Sequence, residues 1–595
     1  MIPELLEFSA LRFAFAEGSL TPTKLVEALL KRIAAYPDKA VFISLVPEET
    51  LLAEAAKLEA EGPAGKPLYG IPFVTKDNID AAGLPTTAAC PAFAYMPGQD
   101  ATTIARLRAA GALLIGKANL DQFATGLNGT RSPYGAPRSV FNAAYVSGGS
   151  SSGSAVSVGA GLAAFSLGTD TAGSGRVPAA FNNLIGLKPS IGRLSATGVV
   201  PACKSLDCIS IFANCAADAM AVLSTAEGYD GADCYSRAPA THILPSAPRL
   251  GVLATKDKDF AGDKDAAALY EAALAQALAL GWELVEIDYA PFRDIAALLY
   301  GGAFVAERTA ATRIFMQHHA EDIFPVVRAI IEGGNKFSAV DAFNDIYKVQ
   351  ALRQITSAEL AKCDALLLPT APTIFTVEEM LAEPVKHNST LGLYTNFVNL
   401  LDMAAIALPG GFRPDGMPFG VTFIGPAFSE ASLSAYADTL HKALGAGAGR
   451  TRAQPQASYE APAADEVTLV VAGAHLSGMV LNHELTNLGA RLIRPALTAP
   501  DYKLFALSTT PPKPSLAHMP GFTGSGIAVE LWGLSAEAFG RFVAALPAPM
   551  GIGRVALEDG SVHPGFLCEA YALESAEDIT AHGGWRAFLA IPLRR

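Results

Sequence analysis

Apolar residues along this chain recur first with a helical period and then in short bursts. Leu25, Leu29 and Ile33, with Val26 and Leu30, fall on one face of a 3.6-residue period. Thr21 stands where an N-cap oxygen is needed, and Pro22 suits a first helical turn, where its missing N–H is no loss. Residues 1–60 are therefore expected as amphipathic helices that cover a core or form a subunit contact. From Gly70 to about Gly445, short apolar runs alternate with helical patterns: Ile71–Val74, Ala112–Gly116, Ala164–Leu167, Leu250–Leu253 and Ala365–Pro369. Such runs read as buried strands in an α/β layer structure.

Gly445-Ala446-Gly447-Ala448-Gly449-Arg450 opens a stretch poor in large aliphatics, and 446–465 reads as a linker. Strand patterning resumes at Val467–Val471 and returns at Ile527–Trp532, Gly553–Leu557 and Gly565–Glu569. The expected organisation is a first domain over 1–445 and a smaller α+β or mostly-β domain over 466–595, long enough to fold around its own core.

Composition narrows the function classes. The chain has 595 residues, too many for one ordinary core. A net charge of −13 leaves no basic excess to neutralise phosphates, so nucleic acid is not an expected partner. No uncharged apolar run reaches the ~18 residues that suggest a membrane span. Met1-Ile2-Pro3-Glu4 carries no basic region followed by an apolar core, so no signal peptide is expected. Seven dispersed cysteines suggest reduced thiols and a cytoplasmic location. No Cys/His spacing fits a metal site, no Walker lysine follows Gly153, and no Met-Lys-Met segment offers a biotin site; neither metal nor cofactor is expected.

Two small-residue segments carry the chemistry: Gly148-Gly149-Ser150-Ser151-Ser152-Gly153-Ser154, and Gly168-Thr169-Asp170-Thr171-Ala172-Gly173-Ser174-Gly175-Arg176. A serine needs a base to become a nucleophile, and none of the ten histidines lies near these loops. Lysine can serve when neutral, and burial lowers a lysine pKa by up to ~3–5 units. Lys76 follows the apolar Ile71–Val74 and is the candidate. Glycines beside the serines let peptide N–H groups approach a substrate oxygen. Either loop alone is more often a turn or linker than a catalytic loop.

Together the segments resemble the amidase signature family: Lys76-Asp77-Asn78, the loop 148–154, and Gly168–Pro178, with Gly186-Leu187-Lys188-Pro189-Ser190, Leu368–Pro372 and Met417–Val421 as further matches. The resemblance spans roughly 20–445 and implies an amidase signature fold, a mixed central sheet covered by helices. It also implies Ser174 as nucleophile, Ser150 as a bridging serine after a cis Gly149–Ser150 peptide, Lys76 as base, and the backbone N–H groups of Thr171, Ala172 and Gly173 as oxyanion hole. Ser152 and Ala172 stand where many members have glycine.

Three regions, Asn119–Gly126, Asn128–Gly135 and Leu299–Arg308, resemble the allophanate hydrolase branch, as do Gly473–Met479, Leu481–Leu485 and Tyr502–Leu507 in the second domain. This implies cleavage of allophanate, an anionic substrate that is urea bearing a carboxylate, to ammonia and N-carboxycarbamate in urea degradation, coupled to urea carboxylase. Arg308 is the expected carboxylate partner, since guanidinium binds carboxylates through paired hydrogen bonds. Tyr300, about two helical turns earlier, is expected on the same face, and Gly126 as a backbone contact. His475 is the candidate for decarboxylation by the second domain, which otherwise supports assembly. A homodimer through the N-terminal helices is expected. The alternatives are the glutamine-hydrolysing component of an amidotransferase, another small-amide amidase, or an inactive amidase-fold interaction module.

Overall fold

The structure is a computed structural model that describes residues 2–3, 5–462, 466–509 and 512–590. Met1, Glu4 and the last three residues of the expected linker, 463–465, lie outside the described residues. The chain forms two compact units, 1–461 and 462–595.

In the first unit, Thr21 accepts a hydrogen bond from the Lys24 N–H (3.3 Å) and caps the helix Pro22–Ala35. Leu25, Val26, Leu29 and Ile33 are buried, so the apolar face is used inside the unit. Eleven strands form the central sheet: β1 (Phe42–Leu45), β2 (Pro72–Lys76), β3 (Leu113–Ala118), β4 (Phe165–Asp170), β5 (Ile185–Lys188), β6 (Cys208–Ala213), β7 (Arg249–Leu253), β8 (Glu283–Ile287), β9 (Ala365–Pro369), β10 (Ala404–Phe412) and β11 (Pro418–Gly425). Their order is β1-β3-β2-β4-β6-β5-β10-β11-β9-β7-β8. The sheet is mixed: β2 runs parallel to β3 and β4, whereas β6 is antiparallel to β4 and β5. Every residue of β2 to β6 is buried, and burial of both faces explains why β2, β3 and β4 read as apolar runs without alternation.

The stretch between the two serine loops is a helix, Ser152–Gly159, followed by β4. Thr75 of β2 lies opposite Leu167 of the parallel β4, so Lys76 and the loop after Asp170 leave the sheet at the same edge. Crevices at the carboxyl ends of parallel strands are where α/β sheets hold ligands. Ala446–Gly449, expected in the linker, are instead buried, and Asn183 Nδ2 donates to the carbonyls of Ala446 (3.3 Å) and Gly447 (3.1 Å). Small residues there permit close packing as well as flexibility.

The second unit contains β12 (Val467–Val471), β13 (Arg491–Leu497), β14 (Tyr502–Leu507), β15 (Lys513–His518), β16 (Ala528–Leu534), β17 (Met550–Ala556), β18 (Val562–Cys568) and β19 (Glu577–Asp578). One sheet has the order β13-β16-β12-β18-β17 and the other β15-β14-β19. A core of Leu469, Val471, Leu531, Trp532, Phe542 and Phe566 supports them. No described helix is long and apolar enough to cross a membrane.

Candidate active site

Lys76 ends β2 with its side chain fully buried. Its Nζ lies 2.8 Å from Ser150 Oγ and 2.7 Å from Thr169 Oγ1. Burial pushes the amine down to about 7; the carboxylates of Asp121, Asp207 and Asp170 pull it back up, and the Arg308 guanidinium pushes it further down. A substantial fraction is therefore a free base at neutral pH, positioned to exchange a proton with Ser150. The Gly149–Ser150 peptide is cis.

Ser174 is 3 % exposed, and its hydroxyl donates to Gly126 O at 3.4 Å. Among the described residues no hydrogen bond joins Ser174 to Ser150, so the relay from Lys76 reaches Ser150 in this structure and stops there. The turn carrying Ser174 is built around Asp170. Its carboxylate accepts from Arg176 Nε and Nη2 (2.9 Å each), from Gly173 N–H (2.9 Å) and from Gly175 N–H (3.0 Å). Burial alone would raise this carboxyl, but Arg176 and the other partners hold it below the ordinary range. Gly173 has φ +129°, and a Cβ there would lie 2.4 Å from Thr395 Oγ1, so only glycine fits. The Gly173 N–H is thereby committed to Asp170. The Thr171 hydroxyl donates to the buried Asp207 carboxylate, and Thr395 Oγ1 donates to Ala172 O at 2.7 Å; both fix that segment.

Sequence reasoning missed Asp121, which holds the other side of the site. Its N–H donates to Ser150 O (3.0 Å), while its carboxylate accepts the amides of Asn128 (3.3 Å), Gly129 (3.0 Å) and Arg131 (2.9 Å). A Cβ on Gly149 would meet Asp121 Oδ2 at 2.2 Å, so the serine loop and this carboxylate are fitted to one another. An acidic residue shortly before Asn128-Gly129 was the available signal, since such side chains fold loops by accepting nearby amides.

Arg308 is 1 % exposed. Its Nη1 donates to Thr125 Oγ1 (2.9 Å) and Ala124 O (3.3 Å), and its Nη2 to Tyr300 OH (3.2 Å). Tyr300 and Arg308 do not share one helix. Tyr300 lies near the end of Ala290–Gly301 and Arg308 lies in Val305–His319, so a break at 302–304 brings them together. Two glycines, Gly301 and Gly302, mark that break in the sequence.

In the second unit, His475 is 5 % exposed. Its ring stacks on Phe566 (5.1 Å between centroids) and meets Phe542 edge-on, with Nε2 2.8 Å from Glu484 Oε2. Burial lowers its pKa, and Glu484 opposes that shift.

The Amidase family profile matches residues 24–433. The chain belongs to the amidase family. A second profile, the allophanate hydrolase C-terminal domain, matches 467–590. Among solved amidase relatives, the Kluyveromyces lactis allophanate hydrolase is 42% identical, with a TM-score of 0.73, covering 96% of this chain and 97% of that one. The urea amidolyase of Lachancea kluyveri is 43% identical over 94% of this chain, and the match covers 32% of that protein. The chain thus spans about a third of the length of such curated relatives. The glutamyl-tRNA(Gln) amidotransferase of Lawsonia intracellularis provides a more distant amidase relative: one of its components is 33% identical over 71% of this chain and 94% of its own length.

Proposed function

We propose that this amidase hydrolyses allophanate: allophanate plus water gives ammonia and N-carboxycarbamate, within urea degradation. The observation that carries the reading is Arg308. Its guanidinium cannot shed its charge, it is buried, and no carboxylate lies within ion-pair distance among the described residues. Asp207 and Glu307 act on this cation only from beyond ion-pair distance, and its Nε has no hydrogen-bond partner, which favours an anionic ligand in direct contact. Arg308 is held by Thr125, and the next residue, Gly126, offers its carbonyl to Ser174. Adjacent residues of one segment therefore contact the cation and the nucleophile. The overall likeness to an allophanate hydrolase supports the same substrate.

In this reading neutral Lys76 takes a proton from Ser150, and Ser150 takes one from Ser174 as Ser174 Oγ attacks the terminal ureido carbonyl. The amides of Thr171, Ala172 and Ser174 hold the oxyanion. Ser150 returns a proton to nitrogen, ammonia leaves, and water hydrolyses the acyl-enzyme through the same relay. Arg308 and Tyr300 hold the carboxylate throughout. Replacing Arg308 with Ala is expected to raise KM for allophanate roughly 10–100-fold, the weight of a charge-assisted hydrogen-bond pair. Biuret, its neutral isostere, should be handled no worse. Equal losses on both substrates in ammonia-release assays would remove the carboxylate role.

On this reading residues 1–445 and 466–595 act as separate domains, and His475 donates the proton for decarboxylation of N-carboxycarbamate. Its Glu484 contact supports a charged state, while its aromatic surroundings oppose one. His475→Ala is expected to leave the first ammonia release unchanged and to slow CO2 release. CO2 release at the wild-type rate would return His475 to a packing role. Carboxylation of urea supplies allophanate, so coupling to a urea carboxylase belongs to the reading. Cytoplasmic placement is supported by the free cysteines. A homodimer also belongs to it, resting on surfaces other than the N-terminal helix face spent on the core; sedimentation decides that point.

A further inference from the structure

Among the described residues three arginine side chains are fully buried: Arg131, Arg176 and Arg308. Arg176 is paired with Asp170. The other two have no carboxylate within ion-pair distance, each leaves its Nε without a hydrogen-bond partner, and both converge on Thr125. Arg131 Nη1 donates to Thr125 O at 2.9 Å, and its Nη2 donates to Pro384 O at 2.7 Å. Arg308 Nη1 donates to Thr125 Oγ1 at 2.9 Å. A guanidinium has donors only, so the Thr125 hydroxyl must accept here; its own proton is directed to Phe123 O at 3.1 Å. Both roles of the Thr125 hydroxyl, acceptor and donor, are thereby set.

The backbone around Thr125 is constrained to match. Phe123 and Ala124 have φ +50° and +52°, in the left-handed region, and this turn brings Ala124 O to 3.3 Å from Arg308 Nη1. Position 126 cannot carry a side chain, because a Cβ on Gly126 would lie 2.4 Å from Asp121 Oδ2. The β-branched Thr125 is stiff at χ1, which suits a hydroxyl that must point one way.

We infer that Thr125 is a positioning residue for recognition of the substrate's anionic group. Arg131 clamps its carbonyl, its hydroxyl aims Arg308, and its chain neighbour Gly126 holds Ser174, so the carboxylate and the scissile carbonyl are placed by one segment. The inference rests on the proposed function and adds to it the residue that sets selectivity for an anionic over a neutral amide. Arg131 acts at one remove, fixing Thr125 and adding positive potential.

The test compares wild type, Thr125→Val, Thr125→Ser, Arg308→Ala and the Thr125→Val/Arg308→Ala double variant, each on allophanate and on biuret. Valine keeps the shape of the side chain and removes the acceptor. Thr125→Val is expected to raise KM for allophanate about tenfold, in line with loss of a hydrogen bond to a charged group, with kcat little changed. Its kcat/KM for biuret should stay within about twofold, and Thr125→Ser should restore the allophanate KM. In the double variant the Thr125 change should add almost nothing to Arg308→Ala, because coupled residues are non-additive. Equal losses on both substrates, or full additivity with Arg308→Ala, would overturn the inference. If wild type prefers allophanate over biuret and Thr125→Val keeps that preference, the inference alone fails. If wild type shows no preference, the proposed function fails and takes the inference with it.

Discussion

Ser174→Ala is expected to lower amide hydrolysis by roughly four to six orders of magnitude, the usual scale for losing a nucleophile that works as part of a unit. The variant should still fold. Ser174 makes one long hydrogen bond, 3.4 Å to Gly126 O, and the turn that carries it is held by Asp170, Arg176 and Thr395. Its melting temperature should therefore match wild type closely, since a weak hydrogen bond contributes at most about 1 kcal/mol. A serine-reactive fluorophosphonate should label wild type at Ser174 and leave the variant unlabelled. Activity in the variant above about one per cent of wild type, or a label on another serine, would contradict its role. An inactive interaction module, the non-enzymatic alternative, predicts no labelling of wild type at all.

Why these residues were legible while others were not follows from how the site is built. Lys76, Ser150 and Ser174 sit at the end of β2 and in two loops of small residues, where local composition exposes chemistry. The strands β2, β3, β4, β7 and β9 were visible because both their faces are buried, leaving unbroken apolar runs. Strand order was not legible, since it depends on pairings such as β5 with β10, far apart in sequence. The same limit hid Asp121 and Thr125. Their importance comes from Ser150 and Arg308, which the fold brings from distant positions. Tyr300 and Arg308 show the opposite error: their spacing suggested one continuous helix, but a break at 302–304 sets their contact.

For the base, pH separates chemistry from structure. In the proposed relay Lys76 must be neutral to accept a proton, and burial pushes its pKa down to about 7. The rate constant kcat/KM is expected to rise about tenfold per pH unit on the acid side and to level off above pH ~7. Lys76→Met should lose roughly 10²–10⁴ in rate, the weight of a general base, together with this acid limb. Lys76→Arg should not restore either, because arginine keeps its proton across the range. Recovery by arginine would show that Lys76 acts only as a fixed cation and donor. Stability gives an independent reading with a definite sign. Between about 7 and the ordinary lysine value of 10.5 the unfolded chain binds the lysine proton and the folded chain does not, so this group makes stability increase with pH over that window. Below the folded value the penalty of burying an ammonium is fully present. Denaturant titrations should therefore find wild type gaining on Lys76→Met as pH climbs from about 7 towards 10.5. A gap independent of pH would mean that Lys76 is not depressed, and the relay through Ser150 would need another base.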